Sequence, residues 1–385
     1  MKNSVIPSRI TEAREACALS MGDLAERIGV SRQSVSKYEK GIMSPSIDVL
    51  QSISFLLHFP VDFFYKEEIG AGTGTSPLFF RSKSNIAKKV KTACKNQVKW
   101  VFEIRNQLER YVEFVGQRPP TIDMNHEDLQ DKDIEEMALS VRHEWELGDA
   151  PIEDLIGILE NQGIIVAQFS GNEFCSFNGI DAYSSWYGGI PYIIYNSTQK
   201  SAVRTRFSIL HELGHLILHS SIPEEDAVKK EVVDFADMQA DRFAAAFLLP
   251  ATSFPKDVRG TSLAYLEMIK KKWGAAMSTI IRRCETLDLL TDNQIGYLKR
   301  QMTTNRYWHK EPLDDMLQIE PPEMLRDAIY LLIDNNIITR RAFLDLCALP
   351  PKDLQCICSL PDDFFENCLQ KQRPVLRVVK AGNDF

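Results

Sequence analysis

Two histidines on one face of an apolar helix constrain this chain more than any other feature. In the stretch Arg206-Phe-Ser-Ile-Leu-His-Glu-Leu-Gly-His215, His211 and His215 stand four residues apart. That spacing brings two side chains onto one side of an α-helix. Ile209, Leu210, Leu213, Leu216 and Ile217 surround them, so the helix belongs in a core. Unpartnered imidazoles and a carboxylate are costly there. The two imidazoles can instead share one metal ion, and Glu212 beside them can take a proton from an activated water, as in a zinc-dependent peptidase. Three of the chain's seven histidines fall between His211 and His219.

A catalytic zinc needs a third protein ligand and an open position. A second helical pattern, from about Val228 to Leu249, carries Asp234, Asp237 and Asp241, and each is a candidate for the third ligand. The three-histidine metzincin pattern is excluded, because Leu218 stands where it requires glycine and Ser221 where it requires histidine.

The N-terminal segment carries a different chemistry. Ser20 is placed to cap a helix bearing Leu24, Ala25 and Ile28, and Gly29-Val30-Ser31 forms a sharp turn. Ser31 then caps a helix through Val35 and Tyr38, and Pro45 is expected to start a fourth. Small Ala25 near the turn, with Val30 and Val35 facing inward, gives helix-turn-helix spacing. Arg32, Gln33, Ser34, Ser36, Lys37 and Lys40 then face outward, with Gln33 suited to a base edge and the others to bases or phosphates. A small helical bundle for protein contacts is the competing reading. The basic stretch Arg81–Lys99 reads chiefly as a solvated helix face.

At 385 residues the chain needs several domains. A net charge of −8 argues against a chain coated in nucleic acid, while leaving room for one local DNA-binding face. Eight scattered cysteines without a Cys-x-x-Cys pair read as reduced thiols. Met1–Ile10 has no apolar signal core and no run is long enough to span a membrane, so a cytoplasmic location is expected. Strands are expected at Gly163–Gln168 and Tyr192–Tyr195, and a flexible linker at Gly70–Pro77. Leu266–Arg283 could mimic a second helix-turn-helix but reads as packing, and the region after 305 as a helical regulatory or dimerisation module.

The string Leu24-Ala-Glu-Arg-Ile-Gly-Val-Ser-Arg-Gln-Ser-Val-Ser-Lys-Tyr-Glu-Lys-Gly41 resembles the Xre/Cro family of phage-repressor-like domains. The resemblance implies a homodimer on a palindromic double-stranded DNA operator. Pro191-Tyr-Ile-Ile-Tyr-Asn196, Arg206-Phe207 with His211–His215, and Asp237-Met-Gln-Ala-Asp-Arg-Phe-Ala-Ala-Ala-Phe-Leu-Leu-Pro250 resemble the ImmA/IrrE (DUF955) family of zinc metallopeptidases. That second resemblance implies Zn2+ held by His211, His215 and Asp237, with Glu212 as the general base. The family's usual third ligand is glutamate, and Asp237 reaches about one methylene less far. His219 would either support a ligand or simply pack, and Asp241 would either orient a ligand histidine or join helices. The oxyanion partner stays open among a tyrosine, a histidine and Arg206.

The expected fold is mainly α and multidomain: a five-helix repressor-like helix-turn-helix domain (1–67), a linker and long basic helix (68–118), an α+β zincin-like peptidase domain with a small sheet (119–304), and a C-terminal helical region (305–385). The expected function is a transcriptional regulator fused to a zinc endopeptidase that cleaves a repressor protein, or its own linker, in a stress or mobile-element response. The competing readings are a non-proteolytic regulator whose peptidase-like domain senses a ligand or partner, and an antitoxin or phage-defence component.

Overall fold

The computed structural model describes residues 4–366 except 71–73, 83–85, 115, 117, 123, 172–173, 175–176, 178 and 200. The central part of the expected linker, with Cys175 and Cys368, therefore lies outside the described residues. Among the described residues the other six cysteines form no disulfide.

The N-terminal unit consists of α1 (Pro7–Ala16), α2 (Met21–Arg27), α3 (Arg32–Glu39), α4 (Ile47–Leu57) and a closing 3-10 turn at Val61–Tyr65. Ser20 and Asp23 form a reciprocal capping box on α2, and the Ser31 hydroxyl accepts from the Ser34 amide at the start of α3. Ser46 caps α4, so that helix begins at Ile47 and Pro45 precedes its cap. Gly29 has φ +71°, the left-handed geometry the turn demands. Leu24, Ala25, Val35 and Tyr38 are buried, whereas Val30 is only half-buried.

The remaining elements are β1 (Phe79–Ser82), α5 (Lys88–Leu108), α6 (Asp131–Glu144), α7 (Leu155–Asn161), β2 (Ile165–Phe169), β3 (Ile180–Tyr187), β4 (Ile190–Asn196), α8 (Ala202–Leu218), α9 (Lys230–Leu248), α10 (Leu263–Trp273), α11 (Met277–Thr286), α12 (Asp292–Thr304), α13 (Met324–Asp334), α14 (Arg340–Cys347) and α15 (Pro351–Ile357). The strands form one mixed sheet in the order β1-β3-β4-β2. β2 and β4 are parallel, while β3 is antiparallel to both β4 and β1. Gly188 and Gly189, both at positive φ, make the two-residue turn between β3 and β4.

Both faces of the sheet are covered. Val166, Ala182, Ile193 and Tyr195 join the core that holds α8, α9, α10 and α11. Ile165, Ala167, Phe169, Tyr183, Tyr192 and Ile194 join a second core shared by α5, the N-terminal helices and α13–α15. Leu266, Ile269, Trp273, Met277 and Ile280 are buried in the first of these, so the Leu266–Arg283 segment packs within it.

Charges bind the N-terminal unit to α5. Arg9 is fully buried and donates to Glu12 and Glu103, while Trp100 Nε1 and Lys99 Nζ both donate to Glu12. The basic stretch finds partners inside the molecule as well: Lys95 pairs with Glu224, and Lys91 lies over the Phe80 ring.

Candidate metal centre and nucleic-acid interface

Helix α8 is buried along nearly its whole length, and α9 lies against it. The close approach depends on Gly214. A Cβ there would lie 3.1 Å from the Ala240 Cα and 3.4 Å from the Ala240 carbonyl oxygen. This contact sets the acidic stripe of α9 over the histidines of α8.

His211, His215 and Asp237 converge, and among the described residues they form the one cluster with metal-binding geometry. The His211 and His215 Nε2 atoms are 3.0 Å apart, and Asp237 Oδ1 lies 3.7 Å and 3.3 Å from them respectively. Asp234, the third aspartate considered from the sequence, is outside this cluster. Asp241 Oδ1 sits 2.9 Å from His211 Nδ1. His219 is fully buried, with its Nδ1 2.9 Å from His215 Nδ1.

The hydrogen-bond pattern fixes where the protons are. The Gln239 amide nitrogen donates to the His126 and Leu129 carbonyls, so its oxygen must accept from His219 Nε2 at 2.9 Å. A neutral His219 then has an acceptor at Nδ1, and His215 donates to it from its own Nδ1. Burial, with His215 beside it, holds His219 well below the usual imidazole range and keeps it neutral. Asp241 takes the Nδ1 proton of His211 in the same way. With both imidazoles neutral, their Nε2 lone pairs and a carboxylate oxygen face one point, and a shared cation, either a proton or a metal ion, reconciles the three acceptors there.

The electrostatics reflect that demand. Burial works to raise Asp237, but its hydrogen bonds to His211 and His215 outweigh it and hold the carboxyl well below the usual range. Burial works to lower His211, yet Asp237 and Asp241 together raise it. Burial lowers His215 despite Asp237. Glu212 is fully buried; its Oε2 accepts from Ser184 Oγ at 2.6 Å, and its Oε1 has no hydrogen-bond partner among the described residues.

Four contributors were not evident in the sequence. Gln239 orients His219, and Ser184 of β3 holds Glu212. The Phe79 ring stacks on His215 at 4.5 Å and 8°. Arg81 Nη1 donates to Asp241 at 2.7 Å and lies 3.3 Å from His211 Nδ1. Arg206 is elsewhere: it pairs with Glu320 and donates to the Ile152 and Glu153 carbonyls, which removes it from the candidate oxyanion partners. A cleft of about 730 Å³ opens beside the centre, lined by Arg81, Phe207, Met238, Asp241, Arg282 and Trp308 among others.

On the N-terminal unit, Arg32, Gln33, Lys37 and Lys40 are exposed along α3, while Ser34 and Ser36 are half-buried. The Ser34 hydroxyl is 2.9 Å from that of Ser31, so it takes part in the helix start.

Residues 10–64 match a helix-turn-helix family, and residues 174–285 match the peptidase M78 family described as IrrE N-terminal-like domain. Uncharacterized HTH-type transcriptional regulators of Sinorhizobium medicae and Rhizobium meliloti are each 39% identical over 80 residues, covering 21% of this chain and 58% of the relative. An uncharacterized transcriptional regulator of Rhodospirillum rubrum, named for an ATPase CF(0) region, is 37% identical over 62 residues, 16% of this chain and 57% of the relative. The chain thus spans just over half the length of these relatives. Among the described residues no helix is long and apolar enough to cross a membrane.

Proposed function

Because the chain joins an Xre-type helix-turn-helix domain to an IrrE/ImmA-like domain of the M78 peptidase family, we propose that it is a DNA-binding transcriptional regulator carrying a zinc-dependent endopeptidase. Its substrate is a repressor protein or a segment of this chain, in a stress or mobile-element response. It acts as a homodimer on a palindromic operator in the cytoplasm, with α3 in the major groove and Arg32, Gln33, Ser34, Ser36, Lys37 and Lys40 at the DNA surface.

The observation that carries the peptidase reading is the convergence of three acceptor atoms. A tetrahedral zinc with bonds of about 2.0–2.1 Å has ligand edges of about 3.3–3.4 Å, and the separations of 3.0, 3.3 and 3.7 Å bracket that value. These separations support a set in which the shorter aspartate arm is the third ligand. His211, His215 and Asp237 would hold the ion, with Asp241 and His219 fixing the two imidazoles. Zinc supplies Lewis acidity there, acidifying a water and polarising a peptide carbonyl. Ser184 holds one oxygen of Glu212, leaving Oε1 to receive the water's proton and pass it to the leaving nitrogen. Buried beside the cleft, that oxygen is shielded from bulk water.

Metal stoichiometry by elemental mass spectrometry tests this reading on wild type, His211→Ala and Asp237→Ala. The expected result is one zinc per wild-type chain, lost in both variants. Zinc retained by Asp237→Ala would remove Asp237 from the ligand set, and a metal-free wild type would overturn the peptidase reading.

A further inference from the structure

Strand β1 is a resident in the place where a peptide would dock. The edge of β3 is the sheet edge that serves the metal centre, because Ser184, midway along β3, holds Glu212. An extended peptide that adds to such an edge gains main-chain hydrogen bonds and presents alternate side chains to one face. β1 already lies there, antiparallel, with Phe79 opposite Ser184 and Arg81 opposite Ala182. These two side chains turn towards α8. Phe79 stacks on His215, and Arg81 pairs with Asp241 beside His211. Phe80 turns to the opposite face, against Tyr183.

The strand comes from the segment that joins the two matched domains, after residue 64 and before residue 174. It continues an extended run that begins earlier. Gly189 N donates to the Gly74 carbonyl, and Ser76 N donates to the Trp186 carbonyl. Gly74 has φ +87°, and a Cβ there would lie 3.0 Å from the Gly189 nitrogen. The run is therefore fitted to the β3–β4 hairpin at Gly74 and Ser76. Among the described residues β1 pairs over four positions, and its register shifts at Arg81–Ser82. An edge strand held along one side only is among the parts of a sheet that open at low free energy.

We propose that β1 is an intramolecular occupant of the peptide-docking edge. It mimics the preferred substrate, an extended segment with an aromatic residue followed two positions later by arginine, and must leave before that substrate can add to β3. The proposal rests on the peptidase reading for its substrate and on the sheet for its geometry. Release of β1 frees the β3 edge and the faces of His215 and Asp241 together. The same displacement shifts the connection to the helix-turn-helix unit, so the state of one domain reaches the other through this strand.

The test is binding of a fluorescein-labelled Ser-Pro-Leu-Phe-Phe-Arg-Ser peptide to the full chain, followed by fluorescence anisotropy, with cleavage of the same peptide read separately by mass spectrometry. Phe79→Ala with Arg81→Ala is expected to bind the peptide at least tenfold more tightly than wild type. A peptide with alanine at its aromatic and arginine positions is expected to bind neither protein. Gly74→Ala leaves every side chain of the centre in place and loosens the start of the run, with an expected gain of about threefold; it keeps the test decisive should the double variant melt early. Equal binding by all three proteins would overturn the proposal. Tight capture without cleavage in zinc-loaded protein would keep the occupied edge and overturn the peptidase reading. Cleavage of the peptide without any gain on loosening β1 would do the reverse.

Discussion

At the scale of single residues, the centre is organised by where protons are placed. Gln239 presents only its oxygen to His219, His219 presents only an acceptor to His215, and His215 is left with a bare Nε2. The chain of three side chains ends on backbone carbonyls, which cannot change role. Truncating a supporting partner of a ligand histidine typically weakens metal binding by about 10–100-fold. His219→Phe fills the volume without an acceptor and should lose zinc affinity in that range, measured by chelator competition. His219→Asn restores an acceptor and should recover most of it. If phenylalanine served better than asparagine, His219 would be a packing residue alone. The sequence exposed the proposed ligands and not the side chains that hold them, for a physical reason. His211, Glu212 and His215 share one helix whose period can be read directly. Gln239 and Arg81 matter through partners 20 and 160 residues away, and a glutamine on a helix looks like surface.

At the scale of elements, helices were the more legible. α9 falls within two residues of the expected span Val228–Leu249, because its apolar stripe runs for several turns. β3 was not read at all. Its sequence Ile180-Asp-Ala-Tyr-Ser-Ser-Trp-Tyr187 contains an aspartate and two serines, which resembles a loop. Those serines have work inside the fold: Ser184 holds Glu212, and Ser185 donates to the Ser76 carbonyl. β1 is too short to announce itself. The start of α13 carries a further consequence. Glu160 of α7 accepts from the backbone amides of Glu323 and Met324 at 3.1–3.2 Å. Burial, with the charges of Glu323 and Asp327, pushes its carboxyl up to about 7 from 4.5 despite those hydrogen bonds. A carboxyl raised on folding stabilises fully below its unfolded value, and that contribution fades as pH rises through the folded value. Wild type should therefore lose thermal stability between pH 4.5 and pH 7 relative to Glu160→Gln. Parallel melting curves for the two proteins across that window would show that the carboxyl titrates normally.

At the scale of the whole molecule, the four segments marked out by the sequence are joined by two cores. The N-terminal helices, α5 and α13–α15 share one, and α8–α12 with α6 and α7 build the other. Linker composition around Gly70 gives no sign of this, because what joins the parts is the buried face of α5. The charges at that junction are fully enclosed: Arg9 is 0% exposed and Glu103 1%. Arg9 keeps Glu12 when Glu103 is removed, so the cost is that of one buried hydrogen bond between charged groups, about 1.5–3 kcal/mol. Glu103→Ala should lower the unfolding free energy by that amount in chemical denaturation. A loss below about 1 kcal/mol would class the network with surface pairs.

The sheet that divides those cores is written in alternating letters. In β2 and β4, Ile165, Ala167, Tyr192 and Ile194 face one core, while Val166, Ile193 and Tyr195 face the other. A slip of one residue would exchange the two sets entirely. Each strand thus carries two interleaved messages, one addressed to the helix-turn-helix half and one to the half that carries the histidine cluster. Drift at odd and even positions is answerable to different partners, so the two halves of this protein inherit their constraints along the same few residues without sharing them.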